Sequence, residues 1–133
     1  MVMLAIALAL SLGQTDPALP EHLLQRPSSR SEVAAVCHPG SAWWKANANS
    51  PASVASCEKA LRTLATDAHN EAQRNKRRAF YLLASQRYRA YLKLFGSGEF
   101  LSDHAFNLTY YFAEVLWALD AFEDAITEYQ RVV

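Results

Sequence analysis

Residues 106–133 have the sequence FNLTYYFAEVLWALDAFEDAITEYQRVV and contain two apolar stripes at helical spacing. In the second stripe, apolar residues stand 3, 4, 7, 10 and 11 positions after Phe122, as on one face of an amphipathic helix. Asp120 and Ala121 interrupt the pattern, and an interruption this short suits an antiparallel helical hairpin. We therefore predict two antiparallel helices. The apolar face of the second consists of Phe122, Ala125, Ile126, Tyr129, Val132 and Val133.

Small residues stand where the two predicted helices must approach each other. The apolar face of the first helix consists of Phe112, Ala113, Leu116 and Leu119. Helices pack closely where small side chains let the two backbones approach. We therefore expect Ala113 and Ala125 to face each other across the hairpin.

The order of small and large side chains resembles a tetratricopeptide repeat (TPR), which is a pair of antiparallel helices of about 34 residues. With Ala125 at the small position of the second helix, Phe112 and Ala113 form the large–small pair of the first. The matching residues are Phe112, Ala113, Leu116, Phe122, Ala125, Tyr129 and Val132. The resemblance implies an all-α fold of helical hairpin repeats, a TPR-like α-solenoid. An ordinary amphipathic hairpin in another α-helical domain is the alternative.

The composition is that of one domain at most. The chain has 133 residues, of which 51% are apolar, enough to form a core. It has only 4 glycines and 5 prolines, which argues against a β-sandwich with many tight turns. The formal net charge is zero, so the chain as a whole does not attract nucleic acid, and we expect no nucleic-acid partner.

The charges are unevenly distributed along the chain. Residues 71–95 carry seven basic residues against Glu71, a net charge of +6, and residues 96–133 carry seven acidic residues against Arg131, a net charge of −6. Neighbouring helices of opposite charge can attract each other or present two surfaces to partners. The alternative is solvated helix faces, since exposed ion pairs contribute little each.

Residues 1–13, MVMLAIALALSLG, form an apolar run that is predicted to be a signal peptide. The run is too short to span a bilayer as a helix, and Ser11 and Gly13 are small residues suited to a cleavage before Gln14. We therefore expect an exported chain with no integral membrane span after cleavage. No Lys or Arg precedes the run, so a wrongly chosen start codon and a buried first segment are alternatives.

Residues 14–50 are predicted to be a lead-in with short helices. Ser31 is the expected cap of one helix, and His38-Pro39-Gly40 ends it. Trp43 and Trp44 belong to a second short element.

Residues 51–101 are predicted to form a long helical pair, interpreted as a diverged repeat. Ser50-Pro51 supplies a cap and a first-turn proline for a helix that runs to about residue 75. The second helix covers about residues 76–95 and ends at a glycine-rich turn. Residues 102–133 are the TPR-like repeat itself, with Ser102 as the expected cap.

A second set of residues extends the resemblance to exported TPR proteins of the Gram-negative envelope. These are Tol–Pal-associated, outer-membrane-assembly and gliding-motility components. The similarity covers about residues 60–133 and departs at Gly96, where such repeats often have proline. The residues that carry it are Tyr88, Tyr91, Leu92, Phe95, Ala125, Tyr129 and Val132.

This resemblance implies a non-catalytic scaffold or adaptor that binds a protein partner in a bacterial cell-envelope assembly, in the periplasm or at the outer membrane. A cytoplasmic TPR adaptor is the alternative. Because the first helices of TPR arrays line the concave surface, the resemblance implies partner contacts by Tyr110, Glu114 and Trp117. Packing of Trp117 against a neighbouring repeat is the alternative for that residue.

The two cysteines, Cys37 and Cys57, stand twenty positions apart. In an exported chain they can form a disulfide, and closing such a loop would stabilise the fold by roughly 3 kcal/mol. Two buried thiols are the alternative. A zinc site made from these cysteines with His38 and His69 matches no compact ligand spacing, so we expect no metal.

The sequence contains no phosphate-binding glycine loop, serine elbow or paired carboxylates, so we expect no catalysis and no cofactor. A small exported helical enzyme or ligand-binding protein remains as the alternative. It would use His69 as a general base together with the Trp43–Trp44 region.

The second helix of the repeat ends on its apolar face at Val132 and Val133. Repeat arrays need several units and a polar end cap. We therefore expect the array to be truncated here, with further repeats or a partner covering Ile126, Tyr129 and Val133.

Overall fold

The computed structural model describes residues 29–133, and no β-strand occurs among them. The α-helices are α1 (Arg30–Val36), α2 (Ala42–Asn47), α3 (Pro51–Asn75), α4 (Arg78–Phe95), α5 (Ala105–Ala118) and α6 (Phe122–Arg131), with a 3-10 helix at Gly98–Phe100. The all-α prediction is confirmed. The predicted signal peptide, residues 1–13, lies outside the described residues. Between residues 29 and 133 no helix has the length and apolar character needed to cross a bilayer.

Helices α3 and α4 begin and end close to their predicted positions. Ser50 caps α3, since its Oγ accepts the backbone N–H of Ser53 at 3.3 Å. The helix ends where Lys76 adopts a left-handed backbone with φ of 56°. Because Lys76 and the extended Arg77 form the turn, α4 begins at Arg78 rather than at residue 76.

The prediction that Ser31 caps the first helix is wrong, because Ser29 takes this role. The Ser29 Oγ accepts the Glu32 backbone N–H at 3.2 Å, and the Ser29 backbone N–H donates to Glu32 Oε1 at 2.9 Å. This reciprocal pair satisfies two amide groups that a helix start otherwise leaves free. The side chain of Glu32 therefore fixes Ser29, three residues earlier in the chain, as the residue that caps α1.

Ser102 is likewise not the cap of the next helix, which has His104 at that position and begins at Ala105. The Ser102 Oγ accepts the His104 backbone N–H at 3.1 Å and shares a hydrogen bond of 2.5 Å with the Tyr91 hydroxyl. Ser102 therefore joins the start of α5 to α4.

Helices α3 to α6 pack in chain order, each antiparallel to the one before it. The contacts that define these directions are Glu58–Tyr91, His69–Tyr88, Arg78–Leu119, Arg89–Phe112, Tyr110–Tyr129 and Trp117–Phe122. The imidazole of His69 on α3 also contacts the Tyr111 ring on α5, with centroids 6.2 Å apart. Helices α3 and α5 therefore run in the same direction and meet on one side of the array.

Fully buried alanines lie along the helix interfaces. Ala65, Ala84, Ala113 and Ala125 each have 0% exposure, one on each of α3 to α6. Small side chains at such positions let the backbones approach, and that Ala113 and Ala125 face each other stays a prediction. The apolar stripe predicted for α6 is buried only at Ala125; Phe122 and Ile126 are exposed.

The turn between α5 and α6 depends on Asp120, whose φ of 63° is left-handed. The Ala121 N–H donates to Leu116 O at 2.9 Å, and the Asp120 N–H donates to Trp117 O at 3.0 Å. This pair of bonds is the glycine-favouring motif that ends many helices. It reverses the chain within the two residues that interrupt the sequence pattern.

The N-terminal elements are held to the helix pair by a covalent bond and by aromatic packing. Cys37 and Cys57 form a disulfide between the end of α1 and α3, with Cα atoms 5.8 Å apart. Trp44 on α2 packs edge-on against Phe95 and Phe100, with centroids 6.3 and 5.2 Å away. Helices α1 and α2 therefore belong to the same packed unit.

Candidate functional site

A groove of about 330 Å³ opens where α3 and α5 meet, and we call it the Glu114 groove. Most of its lining is polar. Its lining residues are Thr66, His69, Asn70 and Gln73 from α3, Tyr88 from α4, and Tyr111 and Glu114 from α5. Its walls therefore come from three helices.

His69 and Tyr88 form a buried hydrogen-bonded pair at this groove. His69 is 7% exposed and Tyr88 is fully buried, and His69 Nδ1 lies 2.8 Å from the Tyr88 hydroxyl oxygen. Burial lowers the pKa of His69, against a smaller raising effect of the Glu114 carboxylate. Burial also raises the pKa of Tyr88, helped by Tyr111 and Glu114. Both groups are therefore neutral at pH 7, so the hydroxyl donates to Nδ1 and the imidazole proton is assigned to Nε2.

Glu114 is the charged residue of the groove lining. Its carboxylate affects the pKa of His69 on α3, Tyr88 on α4 and Tyr129 on α6, so it lies within electrostatic reach of three other helices. Between residues 29 and 133, no Lys, Arg or His forms a salt bridge with it. In the part of the chain that the structure describes, the Glu114 carboxylate therefore has no salt-bridge partner.

Aromatic rings continue from the groove onto α6. The Tyr110 ring lies 6.1 Å from Tyr111 and 5.7 Å from Tyr129, measured between centroids. Tyr110 and Tyr111 are both exposed, whereas Tyr129 is half-buried. The rim near Glu114 therefore has exposed aromatic surface as well as charge.

The three predicted contact residues do not occupy one place. Glu114 lines the groove, and Tyr110 contacts the lining residue Tyr111. Trp117 is 51% exposed and packs on Phe122 at the α5–α6 turn, with ring centroids 4.6 Å apart. The structure therefore brings Tyr110 and Glu114 to the groove and leaves Trp117 as a separate aromatic surface.

The polar wall contributed by α3 was not predicted from the sequence. Thr66, Asn70 and Gln73 follow helical spacing beside the apolar face of the same helix. That second stripe is visible in the sequence. Its position in one groove with Tyr88 is not, because Tyr88 lies on the next helix.

The alternative that joins His69 with Trp43 and Trp44 is not supported by their positions. Both tryptophans are buried, and Trp44 lines a different groove with Pro39 and Phe100. His69 stands eighteen residues after the first residue of α3, or about 27 Å along the helix. His69 and the tryptophans therefore do not form one site.

A larger groove of about 520 Å³ lies between the start of α3 and the start of α5, and its polar wall includes Glu58. The Tyr91 hydroxyl donates to Glu58 at 2.5 Å, and Arg62 Nε donates at 2.8 Å. Burial alone would raise the pKa of Glu58, but these hydrogen bonds outweigh it and lower the pKa. This carboxylate is satisfied within the chain, so it is less available for a ligand than Glu114.

No protein-family model, curated protein or solved structure matches this chain. Among residues 29–133, no group of three or more His, Cys, Asp and Glu side chains is placed to hold a metal ion.

Proposed function

We propose that the chain is a non-catalytic interaction scaffold whose α3–α5 face binds a segment of a partner protein. In this proposal, α3–α4 and α5–α6 are two TPR-like hairpins, and α3 and α5 are the first helices that line the binding surface. The observation that carries it is the open Glu114 groove between α3 and α5, with exposed tyrosines at its rim. Exposed aromatic side chains next to a polar groove are common contact residues in protein interfaces.

The test is a selection of peptides from a displayed random library on the full chain, followed by calorimetry of the recovered peptides. Tyr110→Ala should raise the Kd of a groove-binding peptide by about tenfold or more, because it removes exposed aromatic contact area. Gln86→Ala, on the exposed side of α4, is the matched control and should leave the Kd unchanged. Peptides that bind the Tyr110→Ala variant as well as the unchanged chain would count against this face.

Trp117→Ala tests whether the binding surface reaches the α5–α6 turn. Loss of affinity in this variant would extend the contact set to all three predicted residues, Tyr110, Glu114 and Trp117. Unchanged affinity would restrict the contact set to the groove.

The proposal places the chain in the bacterial envelope, as a component of an assembly there. The apolar run at residues 1–13 and the Cys37–Cys57 disulfide support export, because structural disulfides persist in oxidising compartments. N-terminal sequencing of the envelope-purified protein should begin at Gln14. A free-thiol assay that finds both cysteines reduced in cells would favour the cytoplasmic alternative.

If the protein is exported, capture of the proteins bound to it in an envelope fraction would identify the partner.

The outer face of α6 is the proposed contact for a further helical repeat or for a partner protein. Ile126 and Val133 are exposed and Tyr129 is half-buried. In a repeat array such a face is covered by the next hairpin. Chemical labelling of Tyr129 should decrease when that contact forms.

The second candidate function is that of a small exported enzyme or ligand-binding protein that uses His69. The hydrogen-bonded His69–Tyr88 pair in the groove wall favours it, since it fixes the imidazole ring. Turnover of a small molecule that is lost in His69→Ala and kept in Tyr110→Ala would establish this function in place of the scaffold.

A further inference from the structure

The Glu114 groove combines an unneutralised carboxylate with exposed aromatic rings. Glu114 and Tyr111 line the groove on α5, and the Tyr110 ring stands 6.1 Å from that of Tyr111. The imidazole of His69 closes the other side, 6.2 Å from Tyr111 between ring centroids. Aromatic faces attract cations, and a carboxylate adds a counter-ion.

The described lining of the groove holds no positive charge. Burial keeps His69 neutral at pH 7, and no Lys or Arg is among the lining residues between positions 29 and 133. Arg74 follows the lining residue Gln73 in sequence but pairs with Glu71. A cation that enters the groove therefore meets a negative charge without displacing a cation already bound there.

The groove also offers neutral hydrogen-bond acceptors. Asn70 and Gln73 on α3 carry side-chain amide oxygens, and both residues face the space that Glu114 lines. A guanidinium has five N–H donors in one plane and stacks on aromatic rings, whereas an ammonium is a compact, strongly hydrated charge. The mixture of carboxylate, amides and tyrosines therefore suits arginine better than lysine.

We infer that the Glu114 groove binds a basic side chain of the partner segment, arginine in preference to lysine, with Glu114 as its counter-ion, the Tyr111 ring as its aromatic wall and the Tyr110 ring at its rim. This inference rests on the proposed scaffold function and names the chemistry that the scaffold recognises. The attraction is electrostatic and lies at the surface, so binding weakens as salt is added.

The test uses NMR titration of the isotopically labelled full chain with the capped peptides Gly-Arg-Gly, Gly-Lys-Gly and Gly-citrulline-Gly. Citrulline has nearly the shape of arginine but no charge. The arginine peptide should shift the His69 and Tyr111 signals saturably, the lysine peptide more weakly, and the citrulline peptide hardly at all. Equal shifts from arginine and citrulline would overturn the inference. Stronger binding of lysine would keep the cation site and overturn the preference for arginine.

Two variants with the same change of net charge separate a local effect from a general one. Glu114→Gln removes the proposed counter-ion with little change in shape and should weaken binding of the arginine peptide about tenfold or more. Glu123→Gln, at an exposed position of α6, should leave the affinity unchanged. An equal loss of affinity in both variants would show that the net charge of the protein causes the effect, and it would overturn the assignment of Glu114 as the counter-ion. Circular dichroism checks that both variants remain folded.

Failure of this inference is distinguishable from failure of the scaffold function. If the arginine peptide does not bind, but library-selected peptides still depend on Tyr110 and not on Gln86, the scaffold function stands without a cation site. If no substitution on the α3–α5 face changes the affinity of the selected peptides, the scaffold function fails as well. Selected peptides that bind in the groove without any basic residue also overturn the cation assignment.

Discussion

His69 and Tyr88 are two buried side chains that are joined by a hydrogen bond and are both neutral at pH 7. Burial disfavours the charged form of each. The neutral imidazole of His69 therefore accepts a hydrogen bond from the Tyr88 hydroxyl. Both residues line the groove, and their neutrality matters there because a charged imidazole would oppose the binding of a cation. Two largely buried residues thereby affect the proposed binding surface.

Tyr88→Phe should destabilise the fold by about 1–2 kcal/mol, because it leaves His69 Nδ1 buried without a donor. Urea denaturation measures the free energy of unfolding. Tyr110→Phe removes a hydroxyl at an exposed ring and should cost less than about 0.5 kcal/mol. Equal losses in the two variants would show that the buried hydrogen bond does not contribute to stability.

The stability of the chain should fall as the pH is lowered through the range in which unfolded histidine titrates. The pKa of His69 is lowered from its ordinary 6.5 in the folded state, so the unfolded state binds a proton first. The contribution is complete above pH 6.5 and is lost as the pH falls toward the folded pKa. Glu58 titrates lower, since its pKa is also below its ordinary 4.5.

Denaturation at about pH 7.5 and pH 5.5 measures this loss without the contribution of Glu58. His69→Gln keeps a neutral polar group and should show a smaller fall in unfolding free energy between the two pH values. An identical fall in both proteins would exclude His69 as the cause.

At the scale of helices, the sequence patterns predicted most of the elements but not all their ends. The Ser50-Pro51 start and the glycine at the end of α4 act locally, so they could be identified from neighbouring residues. Ser102 has the right side chain for a cap but bonds to Tyr91 on another helix, and no local pattern contains that contact. The start of α5 was therefore mispredicted, whereas the start of α1 was mispredicted although its Ser29–Glu32 capping box is local.

Asp120→Gly should stabilise the fold by about 0.5–1 kcal/mol, because Asp120 holds a left-handed backbone conformation that glycine adopts without steric cost. The rise in Tm or in the denaturation midpoint measures the effect. The matched control, Asp124→Gly, lies in the first turn of α6 and should destabilise by about 1 kcal/mol. Destabilisation by both glycines would show that the Asp120 side chain supports the turn.

At the scale of the whole molecule, the groove is a product of tertiary packing. The helix directions follow from the hairpins, which were predicted from the sequence. The contact between His69 and Tyr111 was not predicted, because the two residues belong to different hairpins. The choice of Tyr110 and Glu114 as partner contacts rests on the TPR resemblance and stays a prediction, and the sequence contains no signal for the His69–Tyr88 contact. The polar stripe on α3 can be recognised from its spacing in the sequence, but no role was predicted for it.

The disulfide joins the lead-in to the helical array, so its removal tests how the parts depend on each other. Cys37→Ala with Cys57→Ala should lower the free energy of unfolding by roughly 3 kcal/mol, since the bond closes a loop across twenty positions. A phosphine reductant should destabilise the unchanged chain similarly and leave the double variant unaffected. Reductant-insensitive unfolding of the unchanged chain would contradict a disulfide contribution to stability.

The fully buried alanines at the helix interfaces have a consequence for sequence change. A larger side chain at Ala84 or Ala113 has no free volume to enter, so it must push the helices apart and change the width of the groove. Gln73 and Tyr110 face solvent and can change without altering the helix spacing. If the groove binds a partner as proposed, mutation at its exposed positions can alter its specificity while the same backbone persists, so that binding preference diverges among related sequences more readily than fold.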